Sequence, residues 1–142
     1  MKWRNILVGY FAVLEITHLL VLSWAGWQFM QTGAFGFPAP PPATGWSEQT
    51  LPFLLATGVV DAINVFIALI FVYQYFKQKS EWLIWAAVSL TAAVYSAVVF
   101  VWGTVTSGAW AQHPAAYGGI AVAFAPVGLL ILHLLFRKNP HH

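Results

Sequence analysis

Four strongly polar residues stand deep inside apolar runs. Glu15 and His18 occur in Leu14-Glu15-Ile16-Thr17-His18, and Asp61 and Asn64 in Val60-Asp61-Ala62-Ile63-Asn64. Each pair has i, i+3 spacing, which sets its two members on one helix face. Two carboxyls, an imidazole and an amide can pass protons, hold an ion or orient a ligand. In hydrocarbon each acid costs ~2.5–3.5 kcal/mol on insertion scales. A hydrogen bond that merely ties two membrane helices together returns ~0.6 kcal/mol on average. The imbalance favours a proton, ion or ligand site over a purely structural tie. Hydrocarbon disfavours the charged acids and two close acids resist ionising together, whereas a cationic His18 would offset both effects. Such a cluster can share one or two protons near neutral pH.

Three chemistries fit these residues. The leading one is a proton-linked transport or binding site for a small lipophilic or cationic molecule. Glu15 and Asp61 would titrate, His18 would tune their charge, and Asn64 would orient the ligand. Tyr95, in the third apolar run, is a further candidate to reach the cluster. The second chemistry is a metal site, because Glu15-x-x-His18 matches the pair used by di-iron helical bundles. Those sites need two such pairs, and Asn64 stands where a second histidine would be. A mononuclear site at Glu15, His18 and Asp61 is short of ligands, so neither metal nor cofactor is expected. The third is acid–base catalysis on a lipid-like substrate. An accessory subunit of a larger membrane complex is the non-catalytic alternative.

The elements that must position these residues are set by composition. Of 142 residues, 60% are hydrophobic and 7% charged, against about 25% charged in soluble domains. Four runs, near 5–30, 51–76, 82–106 and 117–136, are long enough to cross ~30 Å of hydrocarbon at 1.5 Å per residue. Unpaired backbone groups are not tolerated in lipid, so each run is expected to be a helix. A β-barrel would need alternating strands, whereas these runs are continuously apolar. The first run exceeds a signal peptide's apolar core and lacks a small-residue cleavage site, so it is read as a span. Glu15 lies about ten residues from the start of run one and Asp61 about ten from the start of the antiparallel run two, so both reach the midplane. The two polar pairs can therefore face each other at one depth.

All six Lys and Arg residues fall on one side: Lys2 and Arg4, Lys77 and Lys79, Arg137 and Lys138. The positive-inside rule makes that side cytoplasmic. The expected architecture is an all-α, compact, left-handed-type four-helix bundle of one domain in the cytoplasmic membrane, both ends inside, with a homodimer possible. The net charge of +2 sits in short clusters beside spans, so no nucleic-acid partner is expected. The eight tryptophans fall near the expected interfaces, where amphipathic rings favour lying. The absence of cysteine excludes disulfides, thiolate metal sites and a cysteine nucleophile.

The outer loop, 31–50, contains Phe37-Pro38-Ala39-Pro40-Pro41-Pro42. Its prolines favour a stiff extended segment, which serves as a spacer or, alternatively, a lid over the outer end of the bundle. Small residues line stripes in run three (Ser89, Ala92, Ala93, Ser96, Gly103) and run four (Gly118, Ala121, Ala125, Gly128). They are expected to bring those runs together or to bind a second copy. Pro126 predicts a kink in run four. Ser47 or Thr50 is expected to cap run two, and Ser80 with Glu81 to start run three. His113, His141 and His142 read as solvated and His133 as interfacial. No phosphate-binding loop, dinucleotide fingerprint, Gly-x-Ser-x-Gly or His-Glu-x-x-His is present. The four-span size and first-span acid are similar to those of small multidrug transporters. The long outer loop, the second acid and the complete charge asymmetry depart from them, and no functional residue is carried over.

Overall fold

The computed structural model describes residues 2–34, 36 and 38–136. Phe37, Arg137, Lys138, His141 and His142 lie outside the described residues. The chain forms α1 (Lys2–Thr32), α2 (Thr50–Phe76), α3 (Trp82–Thr106), a single turn α4 (Ala109–Gln112) and α5 (Pro114–Leu135). The long helices α1, α2, α3 and α5 are each long and apolar enough to cross a membrane. Large apolar side chains cover their outer faces, among them Val13, Leu20, Phe53, Ile63, Val98 and Leu132. Water would penalise that surface by ~25 cal/mol per Å2, whereas lipid does not.

Local chemistry sets the helix ends. At the end of α1, Gly33 adopts φ +66° and its N–H donates to the Phe29 carbonyl at 2.8 Å, the left-handed stop that glycine accommodates best. The Ser47 hydroxyl oxygen accepts the Thr50 N–H at 3.0 Å, so Ser47 supports the start of α2. Glu81 precedes α3 without a side-chain cap, contrary to the expected Ser80–Glu81 start. Its carbonyl instead accepts from Ile84 and Trp85. Helix α5 has Pro114 in its first turn, three residues before the expected start, and continues through Pro126. Proline there deprives the Val122 carbonyl of its donor. At the neighbouring carbonyl, Ala123, the Tyr10 hydroxyl donates at 2.7 Å.

Helix α2 packs between α3 and α1, and α1 carries α5 on its other side. The α3 stripe therefore meets α2 at Gly103 and does not bring α3 closely onto α5, the first of the two expected outcomes. A side chain at Gly103 would meet Thr50 and Leu54 of α2, and Ser89 and Ser96 are buried. On α5, a Cβ added at Gly118 or Gly128 would meet nothing within 4 Å. Helix α3 packs chiefly on α2, and Gly118 and Gly128 of α5 stand beside open space.

The two ends of the bundle are built differently. At the end bearing the α2–α3 turn, Leu7, Val8 and Phe11 interlock with Ala68, Phe71 and Tyr75. Ala86 and Leu90 of α3 and Val127 and Leu130 of α5 complete this core. Arg4 seals it: its Nε donates to the Tyr75 hydroxyl at 2.8 Å, and that hydroxyl donates to Asn5 Oδ1 at 2.6 Å. Its guanidinium also lies over the rings of Tyr75 and Trp82. At the opposite end, the proline-rich loop folds over the helices. Tyr117 donates its hydroxyl to the Pro40 carbonyl at 2.7 Å, and the Ala43 N–H donates to Gln112 Oε1 at 2.7 Å. His113 Nε2 stands 3.0 Å from the Pro41 carbonyl, so it is a loop contact and not the solvated histidine expected. Ala39 is fully buried against Ala109 and Tyr117. The part of the loop at 38–46 thus lies over this end of the bundle as a lid.

Candidate functional site

Beneath the lid lies a cavity of about 270 Å3. Glu15 and His18 reach it from α1, Asp61 and Asn64 from α2, and Ser96 from α3. The two i, i+3 pairs meet because α1 and α2 are adjacent and antiparallel, and each pair lies near the middle of its helix. His18 Nε2 stands 3.9 Å from Asp61 Oδ2. That is an ion-pair distance when the imidazole is protonated and too long for a hydrogen bond. The His18 ring also meets Phe124 of α5 edge-on, with centroids 5.7 Å apart.

Polar groups here are buried without being satisfied. Glu15 is 2% exposed and Asn64 3%. Asn64 Oδ1 and Ser96 Oγ have no hydrogen-bond partner. Ser96 lies beside Asp61 without forming a well-shaped hydrogen bond. Thr57, also on the wall, is satisfied within its own helix by donating to the Phe53 carbonyl at 2.8 Å. Burying an unpaired polar group costs about 1–3 kcal/mol, so the Asn64 carbonyl oxygen marks a place where an acceptor lacks a donor, while the Ser96 hydroxyl, donor and acceptor both, faces Asp61. The remaining wall is largely apolar, with Leu14, Val21, Leu54, Ala97, Phe100 and Phe124.

Tyr95 does not belong to this constellation. It is 65% exposed and Ser96 lines the cavity in its place. One residue turns a helix by about 100°, enough to exchange an inward for an outward side chain. Glu15, His18 and Asp61 do not form a three-ligand grouping with metal-site geometry among the described residues.

Sequence reasoning did not place Ser96, Trp110, Tyr117 and Phe124 at the site. Ser96 carries a readable signal, since it repeats Ser89 at i+7 and so shares its face. Trp110 stacks on Tyr117 with centroids 5.5 Å apart and lines the cavity, instead of only marking an interface. The basic side chain of Arg4 is engaged at the far end of the bundle, so His18 is the one basic group on this wall among the described residues. The arrangement offers two carboxyls and two unsatisfied oxygens at the floor of an apolar chamber, a match for a group that donates hydrogen bonds or carries positive charge. The chain matches no protein-family model, no curated protein and no solved structure.

Proposed function

We propose that this protein binds a small, mainly apolar amine in the lidded cavity and exchanges protons as it does so, in the manner of a proton-linked transporter. One observation carries the reading. Glu15, Asp61, Asn64 Oδ1 and Ser96 Oγ converge on one apolar cavity, with two of the oxygens buried and unpartnered. An ammonium group donates three hydrogen bonds and carries the charge that two carboxyls favour. Apolar walls with a few convergent polar groups are the usual form of a small-molecule site. Glu15 and Asp61 are the titrating groups, His18 sets the charge beside Asp61, and Asn64 and Ser96 orient the head group. The basic residues Arg4, Lys77 and Lys79 gather at the α2–α3 end, which supports placing that end in the cytoplasm and the chain in the cytoplasmic membrane.

The test is binding of 2-phenylethylamine to the protein in lipid nanodiscs, measured by equilibrium dialysis. Saturable binding at one site, weakened about tenfold or more in Glu15→Gln and in Asp61→Asn, is the expected result. Equal binding by wild type and both variants contradicts it.

A further inference from the structure

A second space opens between α3 and α5, which do not pack closely on each other. This cleft is lined by Val94, Val98 and Trp102 of α3 and by Val127, Gly128 and Ile131 of α5. Its volume is about 520 Å3. Ala93, Ala97, Val101 and Phe124 line both the cleft and the cavity, so the two spaces share a wall and adjoin. Val98 is 63% exposed and Trp102 73%, which puts the outer edge of the cleft on the lipid-facing surface. The lid closes the other approach through Tyr117, His113 and Gln112. The polar floor and the apolar cleft together describe an elongated site with one polar end.

We infer that the ligand is a long-chain primary amine, taken up sideways from the bilayer, with its ammonium at Glu15, Asp61, Asn64 and Ser96 and its alkyl chain lying in the α3–α5 cleft. This rests on the cavity reading above and adds a substrate class and a route. The polar end is fixed by chemistry: the unpartnered Asn64 Oδ1 accepts a hydrogen bond, the Ser96 hydroxyl beside Asp61 has lone pairs to accept another, and the carboxyls favour a cation. The chain's place follows from adjacency, because the lining of the cleft is apolar throughout and Ala93, Ala97, Val101 and Phe124 border both spaces. An alkyl chain there stays out of water along its whole length, as it does in the bilayer it leaves. A membrane-dissolved amine reaches the floor without crossing the lid.

Two variants fill the cleft alone. Gly128→Leu adds a side chain where a Cβ would meet nothing within 4 Å, and Val98→Phe enlarges a residue that lines the cleft and not the cavity. Binding of decylamine and of 2-phenylethylamine is measured for wild type and both variants in nanodiscs, with empty nanodiscs correcting for partition. Decylamine binding is expected to weaken about tenfold or more in each variant, while 2-phenylethylamine binding stays within about twofold and so reports an intact cavity. Unchanged binding of both amines in the variants overturns the inference and leaves the cavity reading standing. Unchanged decylamine binding with a dimer lost on size measurement overturns it in favour of a second copy in the cleft. Failure of wild type to bind either amine overturns both readings.

Discussion

The two halves of the bundle use the same four helices for opposite purposes. Toward the α2–α3 turn, Phe11, Phe71 and Tyr75 fill the space between helices, and the polar groups of Arg4, Tyr75 and Asn5 satisfy one another. Toward the proline-rich loop, the same α1 and α2 line a cavity in which the Asn64 carbonyl oxygen has no partner. Packing and satisfaction of polar groups stabilise a membrane bundle. Close packing is concentrated at one end, where Ser89 Oγ and Gln74 Oε1 are nonetheless also buried without a partner, and the other end keeps the cavity. The difference separates a closely packed part from a part that keeps a cavity, the one the proposed amine would fill.

Substitutions that break this contrast have graded effects. Phe11→Ala, in the packed half, is expected to destabilise the protein by about 3–5 kcal/mol, read as a shift in its reversible unfolding in mixed micelles. A similar loss from Leu54→Ala at the cavity wall would erase the distinction. Tyr75→Phe removes the hydroxyl joining Arg4 to Asn5 and is expected to cost about 1–2 kcal/mol in the same assay. Tyr117→Phe releases the lid from the Pro40 carbonyl. The absence of native cysteine lets an Ala39→Cys probe report the lid, and maleimide is expected to label it about tenfold faster with Tyr117→Phe, equivalent to about 1.4 kcal/mol of lid closure. Ser96→Ala has the smallest effect on stability. Deleting an unpartnered hydroxyl is expected to leave unfolding within about 1 kcal/mol of wild type or raise stability slightly, while amine binding falls.

Much of the site follows from spacing alone. The i, i+3 pairs Glu15–His18 and Asp61–Asn64 share faces because of helix geometry, and the antiparallel order of neighbouring helices puts them at one depth. The four spans follow from the length of the apolar runs. Where a helix turns its face is less readable, because in lipid every face is apolar and periodicity gives no inward direction. This is why Tyr95 points outward where Ser96 points inward, and why the glycines of α5 line open space. The lid was readable only as one of two options. Polyproline segments form no internal hydrogen bonds, so the Pro40 and Pro41 carbonyls need donors, but the sequence does not show that Tyr117 and His113 will be the ones to meet them.

The most direct test of the central claim is calorimetric titration of 2-phenylethylamine into wild type, Glu15→Gln and Asp61→Asn in two buffers of different ionisation enthalpy. Linked proton exchange at the carboxyl cluster predicts a binding enthalpy that differs between buffers for wild type, with the difference reduced or abolished in the variants. A buffer-independent enthalpy for wild type, or one whose buffer dependence survives in both variants, would contradict a proton-exchanging site at Glu15 and Asp61.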